Sequence, residues 1–259
     1  MGEKIGRRMK KLYEQVVFER RVLLVCTVIM FFAIVLWLVA IATEYWFIVD
    51  GGDGIYLPKT KRYFLSSHAG VWRTCRYTFV NATGIGQKHK SHNGTDVPVR
   101  KAVRSYFDTN CTAPDMGKKK KDPTFDINVM NYSQAEAVFS VITVILMVLG
   151  FVFSSYTFKN PRYMFKRTAG ALHFLSAGAS FTVIEVVMHT VDYQRKHVPY
   201  MYPPGSTHSF GFSFALAWLV FISNLIAGLA FMIFSRKRKG KKAPTEELGM
   251  ADEPAIIGR

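Results

Sequence analysis

The sequence predicts an all-α membrane four-helix bundle carrying a small extracellular antiparallel β-sheet. Three observations predict it. Four long apolar blocks carry little or no charge, Lys and Arg crowd the short segments on one side of them, and one long polar segment holds every Asn-x-Ser/Thr sequon.

The 259 residues are 49% hydrophobic and 14% aromatic, yet the formal charge is +16. A soluble domain would interleave its apolar residues with polar ones. Here residues 22–42, 137–158 and 210–234 hold no charged side chain over 21, 22 and 25 positions. Roughly 20 apolar residues cross a hydrocarbon core of about 30 Å, so each block is long enough to span. The fourth block, 169–191, contains His173, Glu185 and His189 among residues such as Leu172, Phe174, Phe181 and Ile184. Its length and its apolar remainder make it a span as well. The first block is longer than the apolar part of a secretory signal, about 7–15 residues, and ends in Glu-Tyr-Trp rather than small residues. It reads as a retained helix.

Orientation follows from the basic residues. Seven lie in residues 1–21, four in the connection 159–168 and six between Arg236 and Lys242, against two in 192–209. Short loops rich in Lys and Arg stay in the cytosol, whereas long loops cross largely regardless of charge. Both ends are therefore expected inside, with a basic leader (1–21), an outer loop (43–136), an inner connection (159–168), a short outer loop (192–209) and a tail (235–259). The sequons at Asn81, Asn93, Asn110 and Asn131 all fall in the loop assigned outside, where a glycan can be added. Asn131 is the poorest acceptor, being close to the second span.

The leader repeats Ile5, Met9, Leu12 and Val16 at helical spacing among Lys and Arg. Two readings stand: residues 4–21 form a helix on the anionic inner leaflet, or they are a solvated basic leader. The tail, basic and then acidic at Glu246 and Glu247, is expected to be disordered. In the outer loop, 45–49 and 72–80 have the aromatic and β-branched composition of strands, and 99–107 is a weaker third candidate. Residues 83–97 read as a loop carrying glycans. Lys118 to Lys121 read as a solvated turn rather than a dedicated contact.

Cys26 lies inside the first span and is expected to be an inert buried thiol. Cys75 and Cys111 share the oxidising side, so a disulfide between them is the pairing that topology allows. Closing the 35 residues between them is worth roughly 3–4 kcal/mol in the chain-entropy model. A small sheet with little core needs such a staple.

No catalytic constellation, phosphate-binding glycine loop or cofactor motif is present, and no enzyme activity is expected. His89 and His92 have metal-like spacing but lie in a polar stretch without a partner Cys, so no metal is expected. Glu185 and His189 are the informative polar residues. An ionisable group inside a span is costly and is often paired or functional, and His189 lies one helical turn further along the same face. Glu44, ending the first span, is expected at a similar depth. One reading is a hydrogen-bonded cluster that fixes helix packing; the sharper one is a contact with a partner's intramembrane polar group. The small pairs Ser176 with Ser180 and Ser223 with Ala227 permit close helix approach.

Trp46, then Gly70-Val71-Trp72, then Cys75 and Cys111 resemble the Trp…Gly-Leu-Trp…Cys…Cys signature in the first loop of the claudin and peripheral myelin protein superfamily. Within it, Gly70-Val71-Trp72-Arg73-Thr74-Cys75 is similar to the Gly-Leu-Trp-Arg-x-Cys of voltage-gated calcium channel γ subunits and the related AMPA-receptor regulatory proteins. Asn110-Cys111-Thr112, Phe212-Ser213-Phe214 and Glu185 with Val186 and Met188 resemble the muscle-type γ branch. Val71 in place of Leu, the wide Cys spacing, the long leader and the end at Ile-Ile-Gly-Arg depart from the pattern. The resemblance implies a plasma-membrane auxiliary subunit that binds the pore-forming subunit of a voltage-gated calcium channel and modulates its gating. Claudin-like adhesion or AMPA-receptor regulation are the alternatives. No nucleic-acid partner is implied.

Overall fold

The computed structural model describes residues 2–58, 61–80, 106–113, 126–199 and 201–235. In chain order these form α1 (Gly2–Ala42), β1 (Phe47–Leu57), β2 (Arg62–Ala69), β3 (Thr74–Val80), β4 (Tyr106–Thr112), α2 (Ile127–Lys159), α3 (Tyr163–His197), β5 (Thr207–Phe210) and α4 (Phe212–Ile233). The chain divides into a helical unit and a sheet unit, which takes up residues 42–134 and 187–214.

The helical unit contains the four apolar spans. A backbone in hydrocarbon has no water to bond, so helices that satisfy their own N–H and C=O groups are the available answer. Pro161 ends α2: the residue before a proline is pushed out of helical geometry, and Asn160 is the last residue whose N–H closes onto the helix, at Tyr156 O, 3.0 Å. Met30 and Trp37 of α1, Met147 of α2, Ile184 of α3 and Phe231 of α4 fill the interior. Trp37 donates its ring N–H to Ser140 O at 3.2 Å, tying α1 to α2. Small residues line the α3 and α4 contacts: Ser176, Ser180 and Ala227 are buried and Ser223 is half-buried. Lipid tails are as apolar as side chains, so close van der Waals packing replaces the hydrophobic drive here.

The sheet unit is a five-stranded antiparallel sheet in the order β4-β3-β2-β1-β5. Val49 and Phe64 of the sheet pack with Val191 and Tyr202, flanked by Phe47 and Leu57. β1 runs through Asp50-Gly-Gly-Asp-Gly as a bulge with a register shift between Asp50 and Ile55. Gly52 and Gly54 take positive φ values of 60° and 109°, which glycine adopts without steric cost. The Asp50 carboxylate accepts the Gly52 N–H at 2.9 Å.

Several boundaries differ from the sequence expectation. The helix that holds the expected span 137–158 begins at Ile127, and the helix that holds the expected span 169–191 continues to His197, because both extend polar turns beyond their apolar blocks. The leader 1–21 is not a separate segment: from Gly2 it is continuous with the first span, a helix of about 60 Å at 1.5 Å per residue. A leader lying flat on the leaflet needs a break near residue 21, and the helix has none. The 72–80 strand starts at Thr74, with Trp72 in the preceding bend; of the 99–107 candidate, residues 99–105 lie outside the described residues, and Tyr106 and Phe107 open β4. The strands β2 and β5 were not expected. Ser66, Ser67 and His68 lack strand composition, and β2 owes its extended form to strands paired on both sides.

Candidate functional site

The 70–75 motif forms a frame around one carboxylate, Glu44, two residues beyond α1. Gly70 is a glycine for lack of room: a Cβ there would lie 2.6 Å from Thr43 O and 2.7 Å from Glu44 Cα, both backbone atoms. The Gly70 N–H donates to Arg73 O at 2.8 Å, closing a tight turn between β2 and β3. That turn points the Arg73 side chain back at Glu44, where Nε lies 2.8 Å from Oε1. His68 Nε2 lies 3.7 Å from Glu44 Oε2, its ring stacked on Tyr45 at 4.6 Å. Val71 and Trp46 are almost wholly buried, whereas Trp72 is 37% exposed.

Cys75 and Cys111 face each other on β3 and β4 and are joined in a disulfide. Glu44, His68 and Cys75 lie close enough together to suggest a metal centre. The Cys75 sulfur is committed to the disulfide and carries no thiolate, while Glu44 already serves Arg73. What remains is a neutralised carboxylate that ties the end of α1 to the β2–β3 turn. The same junction receives the start of α4: Gly211 and Ser213 donate to Trp46 O and Tyr45 O, and Thr43 Oγ1 lies 2.7 Å from Ser213 Oγ. Within the sheet unit Asp126 caps α2 by accepting the Asn128 N–H at 2.8 Å. Among the described residues the buried Tyr202 hydroxyl has no partner; burial, opposed by Arg195 and assisted by Asp192, pushes its phenol up to about 12.

The polar centre of the helical unit is His173, a residue present in the third span but not singled out by sequence reasoning. Ser154 Oγ of α2 lies 2.8 Å from its Nε2. Gly150, one turn earlier, makes room for the ring, since a Cβ there would lie 3.0 Å from Cε1 and Nδ1. Asn224 of α4 lies beside the ring without a well-formed hydrogen bond, leaving His173 Nδ1 and Asn224 Oδ1 buried and without a partner among the described residues. The cluster pins three helices together and is sealed from solvent, so it cannot act on a dissolved substrate. Glu136 of α2 is a second buried polar group that sequence reasoning missed. It lies one residue outside the expected span, where hydropathy offers no signal.

The intramembrane cluster expected around Glu185 does not form. Glu185 is half-buried and His189 exposed, and among the described residues neither takes a hydrogen bond or ion pair. Their helix turns its packed face, with His173 and Ser180, elsewhere. Glu44, expected at a similar depth, pairs with Arg73. Of the sequons, Asn110 is exposed on the edge strand β4, and Asn131 is exposed but within α2. Asn81, Asn93, His89, His92, Lys118 to Lys121 and the tail from Arg236 lie outside the described residues. Cys26 is buried and free in α1.

The chain is 24% identical over 220 residues to the voltage-dependent calcium channel gamma-1 subunit of Sus scrofa, covering 84% of this chain and 89% of that one. It is 26% identical over 133 residues to clarin-3 of Homo sapiens, covering 45% of this chain and 58% of that one. The profile described as PMP-22/EMP/MP20/Claudin tight junction matches residues 31–233, from within α1 to the end of α4 and through the whole Glu44 frame. The chain is thus a multi-pass membrane protein that belongs to the PMP-22/EMP/MP20/claudin family.

Proposed function

We propose that the chain is a non-enzymatic auxiliary subunit that binds the pore-forming subunit of a voltage-gated calcium channel and shifts its gating. The observation that carries the reading is the likeness to a calcium channel gamma-1 subunit along nearly the full length of both chains. In this reading the protein sits in the plasma membrane with both ends cytosolic. The sheet faces outward with glycans on Asn81, Asn93 and Asn110, and Arg20 and Arg21, where α1 enters its apolar block, meet the anionic inner leaflet.

The mechanism is differential binding: a subunit that binds one gating state more tightly shifts the population toward it, and equal binding shifts nothing. A preference of about 1.4 kcal/mol is a tenfold change in a gating equilibrium. The Glu44 frame keeps the sheet in one shape, so that it offers the partner's outer loops a preorganised surface.

Adhesion of the claudin kind is the second reading, favoured by the family match itself. The exposed edge strand β4 could pair with a neighbour, but a glycan at Asn110 would stand in that seam. Patch-clamp recording with and without the chain, at matched surface expression of the pore subunit, separates the two. A shifted voltage dependence of activation or inactivation, with no current from the chain alone, is the expected result. Unchanged gating together with junction-like strands in cells expressing the chain alone would move the assignment to adhesion.

A further inference from the structure

Three of the four helices turn large apolar side chains outward. Along α1 the exposed residues from 24 to 39 are all Leu, Val, Ile or Phe; along α2, from 138 to 152, all Val, Ile or Leu; along α4, from 219 to 233, all Leu or Ile. Such faces suit lipid tails. The outward face of α3 differs. Phe181 is exposed at its edge, against Trp218 and Phe221 of α4. Beside it Ala171, Leu175 and Gly178 are exposed and Thr182 and Glu185 half-exposed, and these five form one line. They recur at spacings of four, three, four and three, the 3.5-residue repeat of a seam that packs along a second helix at a shallow angle.

The face is also open and chemically incomplete. A Cβ on Gly178 would meet nothing within 4 Å, so the seam contains a shallow groove free of the chain's own side chains. Thr182 satisfies its hydroxyl on Gly178 O at 3.0 Å. Glu185 has no such outlet among the described residues. A carboxylate on an apolar span is costly unless another group answers it.

We infer that the face of α3 from Ala171 to Glu185 is a docking surface for a transmembrane helix of another polypeptide that presents an arginine or lysine to Glu185. Charge complementarity selects this occupant. Lipid tails leave the carboxylate unanswered. A second copy packed two-fold in the same membrane sets carboxylate against carboxylate at equal depth, with the exposed His189 a full helical turn away from both. An arginine offers a carboxylate two parallel hydrogen bonds as well as charge, and the small residues let the incoming backbone approach closely. The inference deepens the auxiliary-subunit reading and rests on it for the partner's identity, because voltage sensors carry arginine-rich helices. The docking chemistry itself needs only the helix.

The test uses the full chain in phosphatidylcholine vesicles with a labelled synthetic leucine–alanine helix of about 20 residues, carrying one arginine at the depth of Glu185 or leucine in its place. Energy transfer from the chain to the arginine helix should saturate, at a Kd at least about tenfold below that of the leucine helix. Glu185→Leu should erase the difference between the two helices. Gly178→Leu should block binding while leaving the melting temperature unchanged, because its side chain enters open space. Equal binding of both helices, undiminished binding by Gly178→Leu, or transfer between copies of the chain that excludes the arginine helix would each overturn the inference. Lost arginine-helix binding with an intact gating shift would overturn the docking face alone. Binding without any gating shift would instead overturn the channel reading.

Discussion

Glu44 and Glu185 are both carboxylates next to or within apolar helices, and hydropathy treats them alike. Glu44 is answered within the chain: Arg73 reaches it at 2.8 Å, on a turn that exists because Gly70 lets the backbone pass Thr43 and Glu44 in close contact. Glu185 lies on a helix whose packed side is already furnished by His173 and Ser180, and its own face points outward. The difference teaches that a charge in a membrane protein has no fixed meaning. One is satisfied by its own fold, whereas the other is left at the surface of an apolar helix without a partner among the described residues.

The comparison breaks most severely if the frame around Glu44 is opened. Cys75→Ser removes the bond that holds β4 to β3 across a sequence separation of 36, and should destabilise the sheet unit by roughly 3–4 kcal/mol. Protease sensitivity of the sheet, with the four helices still protected in micelles, is the expected readout. Equal sensitivity of wild type and variant would show that the strand pairing alone suffices. A smaller break is Gly70→Ala. Its Cβ meets backbone that cannot swing away, so the α1–β1 junction must shift, costing about 1–3 kcal/mol by overpacking. Thermal unfolding checks it, and an unchanged melting temperature would mean that the junction is softer than its contacts suggest.

The two carboxylates themselves are compared by Glu44→Gln and Glu185→Gln in the isolated protein. The first weakens a partly exposed ion pair and should cost up to about 1 kcal/mol, less in high salt. The second removes no hydrogen bond or ion pair among the described residues and should leave stability unchanged. A larger loss from Glu185→Gln than from Glu44→Gln would reverse the contrast. The mildest probe is Tyr202→Phe, close to neutral at pH 7 because the hydroxyl has no partner to lose. With its folded pKa up to about 12 against 10 unfolded, Tyr202 is neutral in both states below pH 10. Between about 10 and 12 the unfolded chain loses the proton first, so wild-type stability falls as pH rises. The Phe variant should lack that part of the alkaline loss, which unfolding at pH 8 and pH 11 measures.

Composition alone determined the spans, because the demand for about 20 apolar residues is local and leaves a continuous block such as 22–42. The Trp46, Gly70, Trp72 and Cys75 pattern was legible as a resemblance, and at Gly70 the physical reason is local: a Cβ there would meet the backbone of Thr43 and Glu44. Strand register was not legible. The β2 segment, with Ser66, Ser67 and His68, is made a strand by neighbours far away in sequence, and β5 pairs with β1 across more than 150 residues. Which carboxylate would be paired was also decided only in three dimensions. Glu44 and Arg73 are 29 positions apart, and the turn at Gly70 brings them together. His173 and Ser154 meet because Gly150 opens the space between two helices. Local physical chemistry determines that a segment must be helical or buried, whereas the partner of a buried polar group depends on which elements the fold sets against each other.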